Sequence, residues 1–173
     1  MINFDLKKIK AMVFDVDGVL SDNNVNLFGE DGQPYRTANI KDGYALHLAA
    51  KFGFPMAVIT GGRSIAVQAR YEALGLRDIF MGVSKKTDTF KRWCADINVR
   101  PENVLYMGDD IPDYEVMKLC GCPVCPIDAA AEIRSMAVYV SPIPGGHGCV
   151  RDVVEQVLKA QGKWMADAEA FGW

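Results

Sequence analysis

The sequence predicts a doubly wound α/β fold, a parallel sheet with helices on both faces. Three observations carry this. Short apolar runs recur without polar alternation, as strands buried on both faces require. Between them lie segments with apolar residues at helical spacing. The two kinds of segment alternate along the chain, which implies parallel strands joined by helical crossovers, a Rossmann-like arrangement.

The elements follow in order. Ala11–Asp15 is an apolar run ending in an acid, and Pro55–Thr60 is another ending in a hydroxyl. Val104–Met107 runs into Gly108-Asp109-Asp110, while Ile79–Met81, Cys122–Cys125 and Val138–Val140 are shorter candidate strands. Helices are expected over Tyr44–Phe52, Ile65–Leu74, Thr87–Ile97, Tyr114–Cys120, Ala129–Met136 and Val150–Ala160, with Gly75 and Gly121 at C-cap positions. Two segments stand outside this alternation. Residues 23–40 contain the turn signal Glu30-Asp31-Gly32 between strand-like stretches, so a β-hairpin is expected after strand one. Residues 161–173 form a tail with Trp164, Phe171 and Trp173, expected to pack on another surface such as a neighbouring subunit.

The chain of 173 residues is long enough for one domain, expected over 1–173. A formal net charge of −3 gives no sign of nucleic-acid binding. No apolar run approaches the about 18 residues of a membrane span, and the N-terminus lacks a signal-peptide layout, so a cytoplasmic location is expected. The cysteines number five, an odd count that argues against a disulfide framework. Cys120, Cys122 and Cys125 lack the fourth ligand of a structural zinc site and read as buried thiols.

In a doubly wound sheet, ligands bind beyond the carboxyl ends of the strands. There strand one delivers Asp15-Val16-Asp17-Gly18 and strand two Thr60-Gly61-Gly62. Lys86 follows strand three, and strand four delivers Asp109 and Asp110 with Asp113 a turn later. Clustered carboxylates repel, and the arrangement makes sense around a cation. Oxygen-only ligands suit Mg²⁺, which takes one or two carboxylates and a substrate phosphate. Gly18 and Gly61 let backbone N–H groups approach the same anion. Asp15 can attack phosphorus, and Asp17 can protonate a leaving oxygen and later deprotonate water. Each residue alone has an ordinary reading: a turn or cap for an Asp, a turn for Thr-Gly, solvated surface for Lys86 beside Lys85. Four such groups in order, each just past an apparent strand, outweigh those readings.

With these residues in view, the chain resembles the haloacid dehalogenase-type phosphatases, whose four motifs match Asp15-Val-Asp17-Gly-Val-Leu, Thr60-Gly, Lys86 and Gly108-Asp-Asp-Ile-Pro-Asp113. The resemblance implies Asp15 as nucleophile, Asp17 as acid/base, and phosphate contacts from Thr60 and Lys86. It also implies Mg²⁺ on the Asp15 and Asp109 side chains and the Asp17 carbonyl, Asp113 orienting Lys86, and Asp110 in support. Only residues 19–59 separate the first two motifs and only 62–85 separate the second from Lys86, which leaves no room for a cap domain. Nearly end to end the chain is similar to the capless 3-deoxy-D-manno-octulosonate 8-phosphate (KDO 8-phosphate) phosphatases. The shared stretches are Asp15–Asp22, Lys41–Tyr44, Tyr106–Asp110, Gly145–Arg151 and Lys159–Lys163. That likeness implies a phosphorylated sugar-acid substrate, a role in lipopolysaccharide precursor synthesis, and a homotetramer with active sites at subunit interfaces and the hairpin at its centre. Phosphatases of nine-carbon sugar-acid phosphates are the alternative.

The chain departs from that pattern at Gly62, where relatives often carry Arg, and at His147, where the glycine-rich tail often has Arg. Arg63, Arg70 and Arg151 are candidates for a substrate carboxylate. Arg63 and Arg70, seven apart, are expected on one helical face, and Arg151 is a cation at a helix start, opposed by the dipole. His147 reads as a loop histidine. A receiver-like signalling domain also clusters aspartates, Thr, Lys and Mg²⁺, but its acceptor Asp follows strand three, where Ile79–Ser84 has none. A phosphomutase needs a cap to exclude water, and a degenerate scaffold would have lost a motif.

Overall fold

The computed structural model of the chain describes residues 1–27, 32–166 and 168–172. Six parallel strands, β1 (Ala11–Phe14), β2 (Met56–Ile59), β3 (Asp78–Phe80), β4 (Val104–Met107), β5 (Cys122–Cys125) and β6 (Tyr139–Val140), form one sheet in the order β3-β2-β1-β4-β5-β6. The connecting helices are α1 (Ile40–Lys51), α2 (Ile65–Ala73), α3 (Lys86–Asp96), α4 (Ile111–Met117), α5 (Ala131–Met136) and α6 (Cys149–Ala160).

Strand alternation divides the apolar side chains between two cores. Met12 and Phe14 face one side with α1, α2 and α6, where Leu46, Val67, Val153, Val154 and Val157 pack. Ala11 and Val13 face the other with α3, α4 and α5, where Phe90, Trp93, Val116 and Ile133 pack. This is the doubly wound arrangement with no cap domain among the described residues. Its order changes direction at β1, so the loops leaving β1 and β4 part there and open a crevice at the strands' carboxyl ends.

Local chemistry moves some boundaries. α1 starts at Ile40, ahead of the expected Tyr44, because Asn39 caps it by accepting from Lys41 and Asp42 N–H. α4 starts at Ile111, with Pro112 in its first turn where no intrahelical N–H is needed. Gly75 ends α2 at φ +94, as its sequence position implies. Gly121 is no cap: α4 ends at Met117, and a Cβ on Gly121 would stand 2.0 Å from the Glu102 carbonyl oxygen.

Among the described residues, the expected hairpin shows one antiparallel bridge, Asn26 with Tyr35, closed by N–H···O bonds of 3.1 and 2.8 Å. Glu30 and Asp31 of its turn lie outside the described residues. The tail folds back on its own chain: Trp164 meets the Tyr44 ring edge-on at 5.9 Å, Tyr44 Oη donates to the Ala170 carbonyl, and Ala170 is buried. Phe171 is exposed, and Trp173 lies outside the described residues.

All five cysteines are free and buried, and burial pushes the thiols of Cys120, Cys122 and Cys125 up to about 12. Cys122 and Cys125 belong to opposite cores, so they form no ligand set. No helix among the described residues is long and apolar enough to cross a membrane.

Candidate active site

Asp15 stands one residue past β1. Its backbone N–H still joins the sheet, donating to the Met107 carbonyl at 3.1 Å. Its Oδ1 accepts from Val16 N–H at 2.7 Å, and its Oδ2 meets Lys86 Nζ at 2.8 Å. Lys86, at the first turn of α3, also donates to Asp113 Oδ1 at 2.8 Å. That same oxygen accepts from Tyr106 Oη at 2.9 Å, and Asp113 Oδ2 accepts from Asp109 N–H at 3.4 Å. Four separate elements thus converge on one buried cation and its two carboxylates.

The electrostatics are dominated by burial. It lifts Asp15 well above the usual carboxylate range, and Asp113 adds to the lift against the opposing pull of Lys86. Burial works against the Lys86 cation, but Asp15 and Asp113 outweigh it and raise its pKa. Asp109 is pushed up to about 7 by burial, then by Asp113 and Asp110. Asp15, Asp109 and Asp113 offer oxygens that all lie within 4.8 Å of one another. Lys86 alone does not neutralise three carboxylates so placed. An all-oxygen, over-negative set of this kind fits a hard divalent cation. Asp113 is fully buried behind Lys86 and Tyr106, whereas Asp15 and Asp109 line the cleft, so those two side chains are the ones that could hold it. Gly18 makes room for that: at φ +79, a Cβ there would lie 2.0 Å from Asp109 Oδ2.

Around this cluster lies a cleft of about 550 Å³ lined by Asp15, Asp17, Asn23, Thr60, Gly61, Gly62, Ser84, Lys86, Asp109 and Asp110. Thr60 Oγ1 accepts from Gly62 N–H at 3.1 Å, closing the turn after β2. The cleft therefore draws lining residues from all four sequence motifs, with Asp113 buried behind Lys86.

The three candidate arginines do not line it. Arg63 is not on α2, whose N-cap is Ser64, so it shares no helical face with Arg70; its guanidinium lies over Gly82, beside a neighbouring hollow. Arg70 packs over Gly43 of α1, in a groove with Tyr35 and Thr37. Arg151 sits 4.3 Å over the Trp164 ring and 5.4 Å over Tyr44, with Nε 2.6 Å from Glu155 Oε2. The dipole at the start of α6 is met by Asp42, whose Oδ1 accepts Arg151 N–H at 2.6 Å. His147 is exposed, in the turn before α6. That glycine turn does reach the site: a Cβ on Gly145 would stand 2.0 Å from the Gly18 carbonyl oxygen.

Sequence reading missed Arg36. Its Nε donates to Asp17 Oδ1 at 2.5 Å and its Nη2 to Asp17 Oδ2 at 3.0 Å. It also missed Tyr106, whose hydroxyl was hidden inside an apolar strand, and Asn23, which donates to Asp128 Oδ2 at 2.9 Å. Of these only Tyr106 left a signal, a polar atom in a fully buried run.

Comparison with known proteins agrees with this geometry. A family profile described as haloacid dehalogenase-like hydrolase matches residues 37–121. The 3-deoxy-D-manno-octulosonate 8-phosphate phosphatase KdsC of Escherichia coli (strain K12) is 37% identical over 157 residues, which span 91% of this chain and 83% of that protein. The chain belongs to this phosphatase family of haloacid dehalogenase-like hydrolases. Among solved structures, the family's Yersinia pestis enzyme superposes with a TM-score of 0.87 at 34% identity, covering 92% of this chain and 85% of that one. The Moraxella catarrhalis phosphatase, solved in complex with magnesium ion, phosphate ion and KDO, superposes at 0.89 with 29% identity, covering 97% and 96%.

Proposed function

We propose that the chain is a magnesium-dependent phosphatase that hydrolyses 3-deoxy-D-manno-octulosonate 8-phosphate to the free sugar acid and phosphate, a step in lipopolysaccharide precursor synthesis. The observation that carries the reaction is the buried Asp15–Lys86–Asp113 chain, with 2.8 Å contacts on both sides of the lysine, opening on a cleft that also holds Asp17.

Asp15 Oδ attacks phosphorus, and the bond from phosphorus to the sugar oxygen breaks. Asp17 delivers its proton to that departing oxygen. Its carboxylate then takes a proton from water, whose oxygen attacks phosphorus and releases phosphate from Asp15. Lys86, Thr60 and the Gly61 backbone hold the phosphoryl oxygens. Asp113 and Tyr106 fix Lys86, and Asp110 supports Asp109. Mg²⁺, held by Asp15, Asp109 and the Asp17 carbonyl, supplies charge neutralisation for the anions gathered here.

The working form is proposed to be a cytoplasmic homotetramer whose neighbouring subunits close the sites. Supporting this, Leu27 of the hairpin, Ile40, Ile65 and Ile111 at the starts of α1, α2 and α4, and Ile127 after β5 are all exposed on the side where the cleft opens.

Phosphate release from the sugar-acid phosphate, with Mg²⁺ and with excess chelator, tests the reading. Turnover only with Mg²⁺ is expected. Full activity in chelator contradicts the metal's role, and faster turnover of a nine-carbon homologue moves the substrate assignment. Sedimentation of an active, stable monomer would refute the shared sites.

A further inference from the structure

The departure at Gly62 and the unanticipated Arg36 belong together. Arg36 lies in the segment between β1 and α1, and its side chain is only 7% exposed. It grips both oxygens of Asp17 and also donates from Nη1 to the Pro34 carbonyl at 3.2 Å. Its guanidinium occupies the space over Gly62: a Cβ there would lie 2.7 Å from Nη2 and 3.5 Å from Asp17 Oδ2. Gly62 has no left-handed φ that would demand a glycine. A side chain there would instead meet the guanidinium as it now sits on Asp17.

We infer that Arg36 is a positioning residue for the carboxylate of Asp17, and that position 62 is glycine so that Arg36 can reach it. The inference rests on the acid/base role proposed for Asp17. A carboxylate has about four lone-pair sites. A planar guanidinium bonded side-on takes one on each oxygen and fixes the plane of the group. The remaining sites stay open towards the cleft, where Asp17, with 42% of its side chain exposed, meets solvent and substrate. Proton transfer needs that fixed aim, because its efficiency depends on heavy-atom distances near hydrogen-bonding range. The departing oxygen receives its proton along a direction that Arg36 holds from behind.

The test uses leaving groups. p-Nitrophenolate departs without a proton, while an alkoxide needs one, so damage to the acid should appear selectively with alkyl esters. Arg36→Met keeps length and packing and removes the fork. With glycerol 3-phosphate, which has no carboxylate, and with the sugar-acid phosphate, its kcat/KM should fall about 10- to 100-fold, part of what a positioned acid contributes. With p-nitrophenyl phosphate it should fall less than about threefold by the same argument. Arg36→Lys, a point charge without the fork, should recover only part of the loss. Gly62→Ala should show the same leaving-group pattern more weakly, and should add nothing in the Arg36→Met background, as coupled residues do. Equal losses on all esters would make Arg36 structural. A loss on the sugar-acid phosphate alone would make it a carboxylate contact, and additive losses would uncouple it from Gly62. Asp17→Asn is the control: if it lacks the leaving-group pattern, the acid/base reading itself fails, whereas a pattern in Asp17→Asn but not in Arg36→Met defeats the inference alone.

Discussion

Asp113 at the catalytic face and Asp42 beneath α6 are 0% and 1% exposed, and the protein treats them in opposite ways. Asp113 has a lysine, a tyrosine hydroxyl and a backbone N–H on its two oxygens. Asp42 has the Arg151 N–H on Oδ1 and no partner on Oδ2 among the described residues, and burial pushes its pKa up to about 6. Burying a carboxylate is costly in either place. At the catalytic face both oxygens of the carboxylate are engaged, one of them by the lysine that lines the cleft. Under α6 the charge is only half compensated, so the proton decides whether the group is comfortable. The lesson is that burial alone does not mark function; the number and kind of partners do.

The largest expected effect lies at the catalytic face. Asp15→Asn should cut turnover by at least about 10³-fold, since it removes the covalent route. It should leave folding stability unchanged or raised, because it also removes a buried charge facing Asp113. A rate within about tenfold of wild type, ~1.4 kcal/mol of barrier, would break the mechanism.

Next comes Asp113→Asn, which keeps an acceptor for Tyr106 but removes one of the two charges on Lys86. Steady-state kinetics should show kcat lower by about 10- to 100-fold, the equivalent of ~1.5–3 kcal/mol for a charged hydrogen bond. Wild-type kcat would mean that Asp15 alone positions the lysine.

Asp42 should be read in stability against pH. Its folded pKa lies above the unfolded value, so its contribution is fully present below about pH 4 and is lost as pH rises through about 6. The amount is on the order of 3 kcal/mol. Asp42→Asn should flatten that part of the profile in thermal melts, with Tyr71 and Cys149 as the nearby groups that feel the same charge. An unchanged profile would show that Asp42 is ordinary despite its burial.

Arg151→Ala should do least. It loses a part-buried pair with Glu155 and the faces of Trp164 and Tyr44, for a drop of about 1 kcal/mol. Its kcat/KM should stay within about twofold. A selective loss on the sugar-acid phosphate would bring Arg151 back to the substrate.

The fold and the reactive cluster were legible because they depend on local pattern. Apolar runs without alternation gave β1, β2, β4 and β5, and Asp15, Thr60 and Asp109 stand just past the first three of these. Arg36 was not legible. It is 19 residues from its partner Asp17, in a polar segment without periodicity. The cap at the start of α6 was not legible either: Asp42 reaches over from α1, 109 residues earlier in the sequence, to accept the Arg151 N–H. Gly62 and Gly121 look like turn residues in one dimension. In three dimensions each is small because another chain segment comes close.

The five buried thiols have a practical consequence. With Cys120, Cys122 and Cys125 held near 12 and Cys149 pushed up by burial as well, the folded protein offers alkylating reagents almost no thiolate at neutral pH. They sit in both cores and at the head of α6. A labelling pulse followed by mass analysis would therefore time the opening of each side of the sheet separately, with no probe added to the chain.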